Sequence, residues 1–117
     1  MPEITEVINT YIAAWNETDE ARRLDLVTRA WAPDATYVDP VMSGEGHEGI
    51  DAMIAAAQEQ FPGHRFELTA GPDVHHDRVR FAWRLLDPNG ATAIAGVDFA
   101  RLAADGRLRE VTGFLES

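Results

Sequence analysis

Apolar residues return along the first stretch of the chain with helical spacing. Ile4, Val7, Ile8, Tyr11, Ile12 and Trp15 fall at i, i+3, i+4 and i+7, which predicts an amphipathic helix over residues 3–16 with Tyr11 on its buried stripe. Thr18 is placed to cap a second helix, with Asp19 and Glu20 in its first turn. Leu24, Val27 and Trp31 give that helix an apolar face, and Pro33-Asp34 ends it. A short extended piece, Ala35 to Asp39, leads into a loop over 40–49. A third helix then turns Ile50, Met53, Ile54, Ala57 and Phe61 inward and stops at Pro62-Gly63. Beyond residue 63 the period changes to two: Phe66, Leu68 and Ala70 alternate with Arg65, Glu67 and Thr69. Further strands are expected over 78–86, 91–103 and 107–115, separated by Asp87-Pro88-Asn89-Gly90 and Ala104-Asp105-Gly106. Helices first and a meander afterwards predict an α+β fold. Its form is a cone-shaped barrel, three N-terminal helices packed in a curved antiparallel sheet, with a cavity open at one end.

Composition narrows the function. The 117 residues suit one domain, 1–117, and 45% apolar content excludes a disordered chain. No apolar run approaches the roughly 20 residues that span a bilayer. The acidic start, Met-Pro-Glu-Ile-Thr-Glu, has no apolar signal region, so a cytoplasmic location is expected. A formal net charge of -10 disfavours nucleic acid and anionic membranes as partners. There is no cysteine, hence no thiolate chemistry. His47, His64, His75 and His76 stand at no metal-site spacing, and no phosphate loop or nucleophile elbow occurs. The expected partner is a small organic ligand, with neither metal nor cofactor.

Three polar residues interrupt segments that otherwise read as core: Tyr11, Asp39 in Tyr37-Val38-Asp39-Pro40, and Asp98 in Gly96-Val97-Asp98-Phe99. Burying a phenol and two carboxyls is costly unless each finds a partner. Such a set can also move a proton and hold an oxyanion. The structural alternatives are an aspartate bonding its own turn at Asp39-Pro40 and a core aromatic at Tyr11.

Several strings carry a resemblance across nearly the whole chain. They are Tyr11-Ile12-Ala13-Ala14-Trp15-Asn16 followed by Asp19, then Trp31-Ala32-Pro33-Asp34-Ala35-Thr36-Tyr37-Val38-Asp39-Pro40. Gly46-His47-Glu48-Gly49-Ile50, Gly96-Val97-Asp98-Phe99 and Asp105-Gly106-Arg107-Leu108 complete the set. In these the chain resembles the nuclear transport factor 2-like superfamily, in particular SnoaL-like domains and ketosteroid isomerases. The resemblance implies a cofactor-independent isomerase or polyketide cyclase moving a proton alpha to a carbonyl. Asp39 would be the base, Tyr11 the oxyanion donor and Asp98 an acid kept protonated. Trp15, Trp31, Tyr37, Met53, Phe61 and His47 would line the pocket. The same superfamily includes ligand-binding or dimerisation domains without activity, which is the competing reading. An epoxide hydrolase-like reading would need Arg-x-Asp on a strand, and here Arg-x-Asp occurs only at Arg23-Leu24-Asp25 in a helix.

The turn before Asp98 sets its surroundings. Pro88 fixes φ near about -65°, which rules out a type I′ turn and favours a type I turn with Gly90 in a left-handed bulge. That loop pairs Asp87 with Ala91, and by continuation Arg84 with Ile94 and Arg80 with Asp98. Val79, Phe81, Trp83, Val97 and Phe99 then share one face, while Arg80, Arg84 and Asp98 share the other. If the apolar face covers the helices, Asp98 is an outward ion pair. If it is the convex surface, it forms a homodimer through the sheet, and Arg80, Arg84 and Asp98 line a polar cavity. The second version agrees with the resemblance. A slip of one residue would reverse either assignment.

Overall fold

A computed structural model describes residues 3–116. Helix α1 spans Ile4–Asn16 and buries Val7, Ile8, Tyr11, Ala14 and Trp15, the stripe its spacing predicts. Its last residue fastens it to the sheet. The Asn16 side chain donates to the Phe66 carbonyl (2.9 Å) and accepts from the Phe66 N–H (2.7 Å).

Helix α2, Glu20–Ala30, departs from expectation at both ends. Asp19, not Thr18, is the cap, and its carboxylate accepts from the Arg22 N–H at 2.9 Å. The helix stops before Trp31, which opens strand β1, Trp31–Val38. Pro33 explains the early stop: a residue before proline is pushed out of the helical region, so Ala32 is extended and the helix must end ahead of it. The buried face is also rotated. Leu24 is 39% exposed while Arg23 is buried, its Nε donating to Asp51 Oδ1 (2.8 Å) and one amino group to Gln58 Oε1 (3.2 Å) of the third helix. A buried guanidinium is tolerated because those acceptors meet it.

Within the expected loop, Ser43–Glu45 forms a short strand β2 against β1, and helix α3 begins at Gly46 and runs to Gln60. Strands β3 (Arg65–His75), β4 (Arg78–Leu86), β5 (Thr92–Leu102) and β6 (Leu108–Leu115) follow. The sheet order is β2-β1-β6-β5-β4-β3. Every pairing is antiparallel except β1 with β6, so the sheet is mixed. Helices and sheet enclose one core, and the α+β cone expected from the pattern is the fold. No helix among the described residues is long and apolar enough to cross a membrane.

The hairpin between β4 and β5 decides what faces the core. The turn itself forms as the proline requires: Gly90 has φ 87°, and the Asp87 N–H donates to the Ala91 carbonyl at 2.8 Å. One step later the register breaks. Leu86 pairs with Thr92 but Leu85 pairs with Ile94, leaving Ala93 as an extra residue. This bulge moves the ladder by one, so Arg80 pairs with Phe99 and Phe81 with Asp98. Both sequence-based assignments of the faces are therefore corrected. Val79, Phe81, Trp83 and Leu85 point inward and are buried, and Asp98 points inward with them. Phe99 (41% exposed) and Phe114 (58%) face outward.

Candidate functional site

Asp98 sits deep inside the cone and is 1% exposed. Two donors from different elements reach it. The Tyr11 hydroxyl of α1 donates to Oδ2 at 2.5 Å, and the Trp83 indole N–H of β4 donates to Oδ1 at 2.9 Å. Burial nevertheless pushes its pKa up to about 6, with nearby Asp39 adding to the rise and the two hydrogen bonds opposing it. Tyr11 is held neutral: burial, and then the Asp98 charge, raise its pKa well above the ordinary phenol value. Its ring is wedged edge-on against Phe81 (5.2 Å) and tilted over Trp31 (4.8 Å).

Asp39 closes β1 and meets a second phenol. Tyr37 donates to its Oδ2 at 2.7 Å, while Oδ1 accepts from the backbone N–H groups of Val41 (2.8 Å) and Met42 (2.9 Å). The turn-forming role and a place at the cavity thus belong to the same carboxyl. Oδ2 keeps one lone pair free, because a carboxylate oxygen can accept two hydrogen bonds. Burial raises the Tyr37 pKa, so this phenol also stays a donor.

The two carboxyl systems converge at Gly113 on β6. A Cβ there would stand 3.0 Å from Asp98 Oδ1, 3.1 Å from Asp39 Cβ and 3.2 Å from the Tyr37 oxygen. Gly96 has a comparable role beneath Trp83, whose ring lies flush on its Cα; a Cβ would come within 2.4 Å of Cζ2. At Gly96 only glycine leaves room, while at Gly113 a Cβ would press on all three groups.

These groups form one wall of a cavity of about 160 Å³. Tyr11, Asp39, Asp98, Trp15, Tyr37 and Phe61 all border it, together with Phe66, Trp83, Leu85, Ile94 and Leu115. Other expected pocket residues lie elsewhere. Trp31 is wholly buried in the core behind Tyr11. Met53 faces a separate shallow groove beside Val41 and Ala56. The His47 ring nitrogen Nε2 bonds the Trp31 carbonyl at 2.8 Å, outside the cavity. Arg80 and Arg84 are corrected outright. The Ala93 bulge turns them to the outer face, where they pair with Asp73 (3.0 Å) and Glu67 (3.2 Å). Among the described residues no arginine reaches Asp98.

Trp83 was missed as a site residue, since its place depends on a bulge that periodicity does not reveal. The Trp15 indole N–H is buried at the cavity wall with no partner among the described residues. No group of three or more potential metal ligands occurs among the described residues.

The fold has counterparts among known proteins. The model of the SnoaL-like domain family matches residues 8–111. A SnoaL-like family protein from Agrobacterium tumefaciens str. C58, provisionally designated an isomerase, is 48% identical over 100% of both chains, with a TM-score of 0.93. An NTF2-like protein of unknown function from Exiguobacterium sp. 255-15 shares the fold at 18% identity (95% of this chain, 98% of that one, TM-score 0.74). So does a provisionally designated SnoaL-like polyketide cyclase from Jannaschia sp. CCS1 at 22% identity (99% and 90%, TM-score 0.70). No curated protein matches the chain. The chain belongs to the SnoaL-like domain family.

Proposed function

We propose that the protein is a cofactor-independent isomerase that moves a proton alpha to a carbonyl. The observation that carries this reading is the meeting, in one apolar cavity, of an anchored carboxylate with a free lone pair and a buried phenol–carboxyl pair. Asp39 Oδ2 accepts the proton from the carbon beside the carbonyl, and the electron pair moves onto the carbonyl oxygen as an enolate. When Asp98 carries its proton, that proton is donated to the Tyr11 oxygen. The Tyr11 hydrogen is then released toward the substrate oxygen. Asp39 returns the proton to a different carbon, so nothing is oxidised or reduced. The Agrobacterium relative's provisional designation as an isomerase supports the same class.

Solvent deuterium exchange into a panel of neutral ketones, followed by proton NMR, tests the proposal. The protein should catalyse exchange at the alpha carbon, and Asp39→Asn should slow it by about 10²–10⁴-fold, the usual contribution of a general base. Exchange at an undiminished rate in Asp39→Asn would remove Asp39 as the base. No exchange with any ketone would leave a binding protein.

We further propose a homodimer through the outer face of the sheet. Val38, Val97, Phe99 and Phe114 cluster there across β1, β6 and β5, and Phe99 and Phe114 are large apolar groups left to water. Light scattering at micromolar concentration should give twice the chain mass, and Phe114→Arg should give a monomer. A monomeric wild type would end the proposal.

A further inference from the structure

The walls of the cavity restrict its ligand in size and in charge. At about 160 Å³ the space is close to that of an engineered cavity of roughly 150 Å³ that holds a single benzene ring. Aromatic and aliphatic side chains form the walls, including Trp15, Phe66, Trp83 and Leu85. The inner end is polar, where Asp39, Tyr37 and Asp98 converge around Gly113. The rim carries apolar groups beside Gln60: Val41 is 72% exposed and Leu115 39% exposed where they border the opening. No Arg, Lys or His lines the cavity among the described residues, while two carboxyls do.

We infer that the ligand is an uncharged carbonyl compound of about one ring, carrying its oxygen at the carboxyl end and an apolar edge toward the mouth. This deepens the isomerase reading and rests on it for the site. A second negative charge on the ligand body would enter a low-dielectric space with no counter-ion and two like charges. A multi-ring skeleton would leave most of its surface outside the walls. Buried Tyr11, Phe81 and Trp31 block any extension inward.

Two tryptophans at the wall, Trp15 and Trp83, make intrinsic fluorescence a direct reporter of occupancy. At neutral pH the probes are cyclohexenone, cyclohexanecarboxylate and a four-ring steroid enone. Cyclohexenone should quench and bind at least tenfold more tightly than either other probe. Gln60 borders the cavity at its exposed end, so Gln60→Arg should raise carboxylate affinity about tenfold relative to that of cyclohexenone. Ile94→Ala, which opens one wall, should shift preference toward larger ketones. Steroid binding as tight as cyclohexenone binding would overturn the size limit. Carboxylate binding equal to that of the ketone in the wild type would overturn the charge limit, and binding of none of the three would overturn both. The proton-transfer reading fails separately: the expected ranking without alpha-carbon exchange removes the chemistry and leaves the ligand class standing. Exchange confined to multi-ring ketones does the reverse.

Discussion

Gly96→Ala should destabilise the protein by about 3–5 kcal/mol and abolish ligand binding. The added methyl would stand 2.4 Å from Trp83 Cζ2, 2.8 Å from Cε2 and 2.7 Å from the Phe114 carbonyl oxygen. The carbonyl belongs to the neighbouring strand and cannot yield without opening the β5–β6 ladder. The indole must therefore leave the wall. Overpacking of this kind costs about 1–3 kcal/mol. Withdrawal of the Trp83 N–H from a buried carboxylate adds about 1.5–3 kcal/mol. The displaced ring enters the cavity, so occupancy is lost even where the fold survives. Urea unfolding gives the first effect, and cyclohexenone titration of the folded variant gives the second. A loss below about 0.5 kcal/mol, the range of ordinary surface changes, would mean that the ring does not rest on this glycine.

Asp98→Asn should make the protein more stable at neutral pH and free its anion binding from pH. The Asp98 pKa rises from 3.8 unfolded to about 6 folded. The native state thus holds a proton that the unfolded chain releases. Stability from this group is present in full below about pH 4 and is lost as pH climbs through 6, by about 3 kcal/mol in all. Asparagine carries no charge and has no such loss. The stability difference between variant and wild type should open between pH 4 and 7 and level off above, with contributions from other acids cancelling in the comparison. The amide can also turn its oxygen to Trp83 and its NH₂ to the Tyr11 oxygen, the hydrogen-bond pattern of the protonated acid. A nitrophenol ionised throughout the titration should bind the wild type about tenfold more weakly for each pH unit above 6. It should bind the variant equally well at every pH. A wild-type affinity that is flat from pH 5 to 8 would show that Asp98 protonation does not release the Tyr11 hydrogen.

Much of this was open to reading from residue order. The stripe on α1 located Tyr11, and the change from period four to period two located the change from helix to sheet. Asp39 could be placed at the end of β1 because Pro40 follows it. The failures have local physical causes. Trp31 has the spacing of a helix residue but lies beyond the reach of the helix, because Pro33 acts backward through Ala32. Arg23 is a charged residue on a face where an apolar one was expected, and its partners Asp51 and Gln58 come from a helix far along the chain. The turn at Pro88 could be deduced, whereas the bulge at Ala93 could not. No residue type demands a bulge there. What selects it is the burial of Val79, Phe81, Trp83 and Leu85 with Asp98 between donors, a property of the assembled sheet.

The bulge has a consequence for how the chain can vary. Ala93 is exposed, so exchanging its side chain for another should matter little. Its presence as a spacer is another matter. Without it Asp98 and Ala100 would trade places with Val97 and Phe99, and the inside of the cone would lose its acid while water gained one. The backbone at 93 works like a reading frame: the letter is free, the count is fixed.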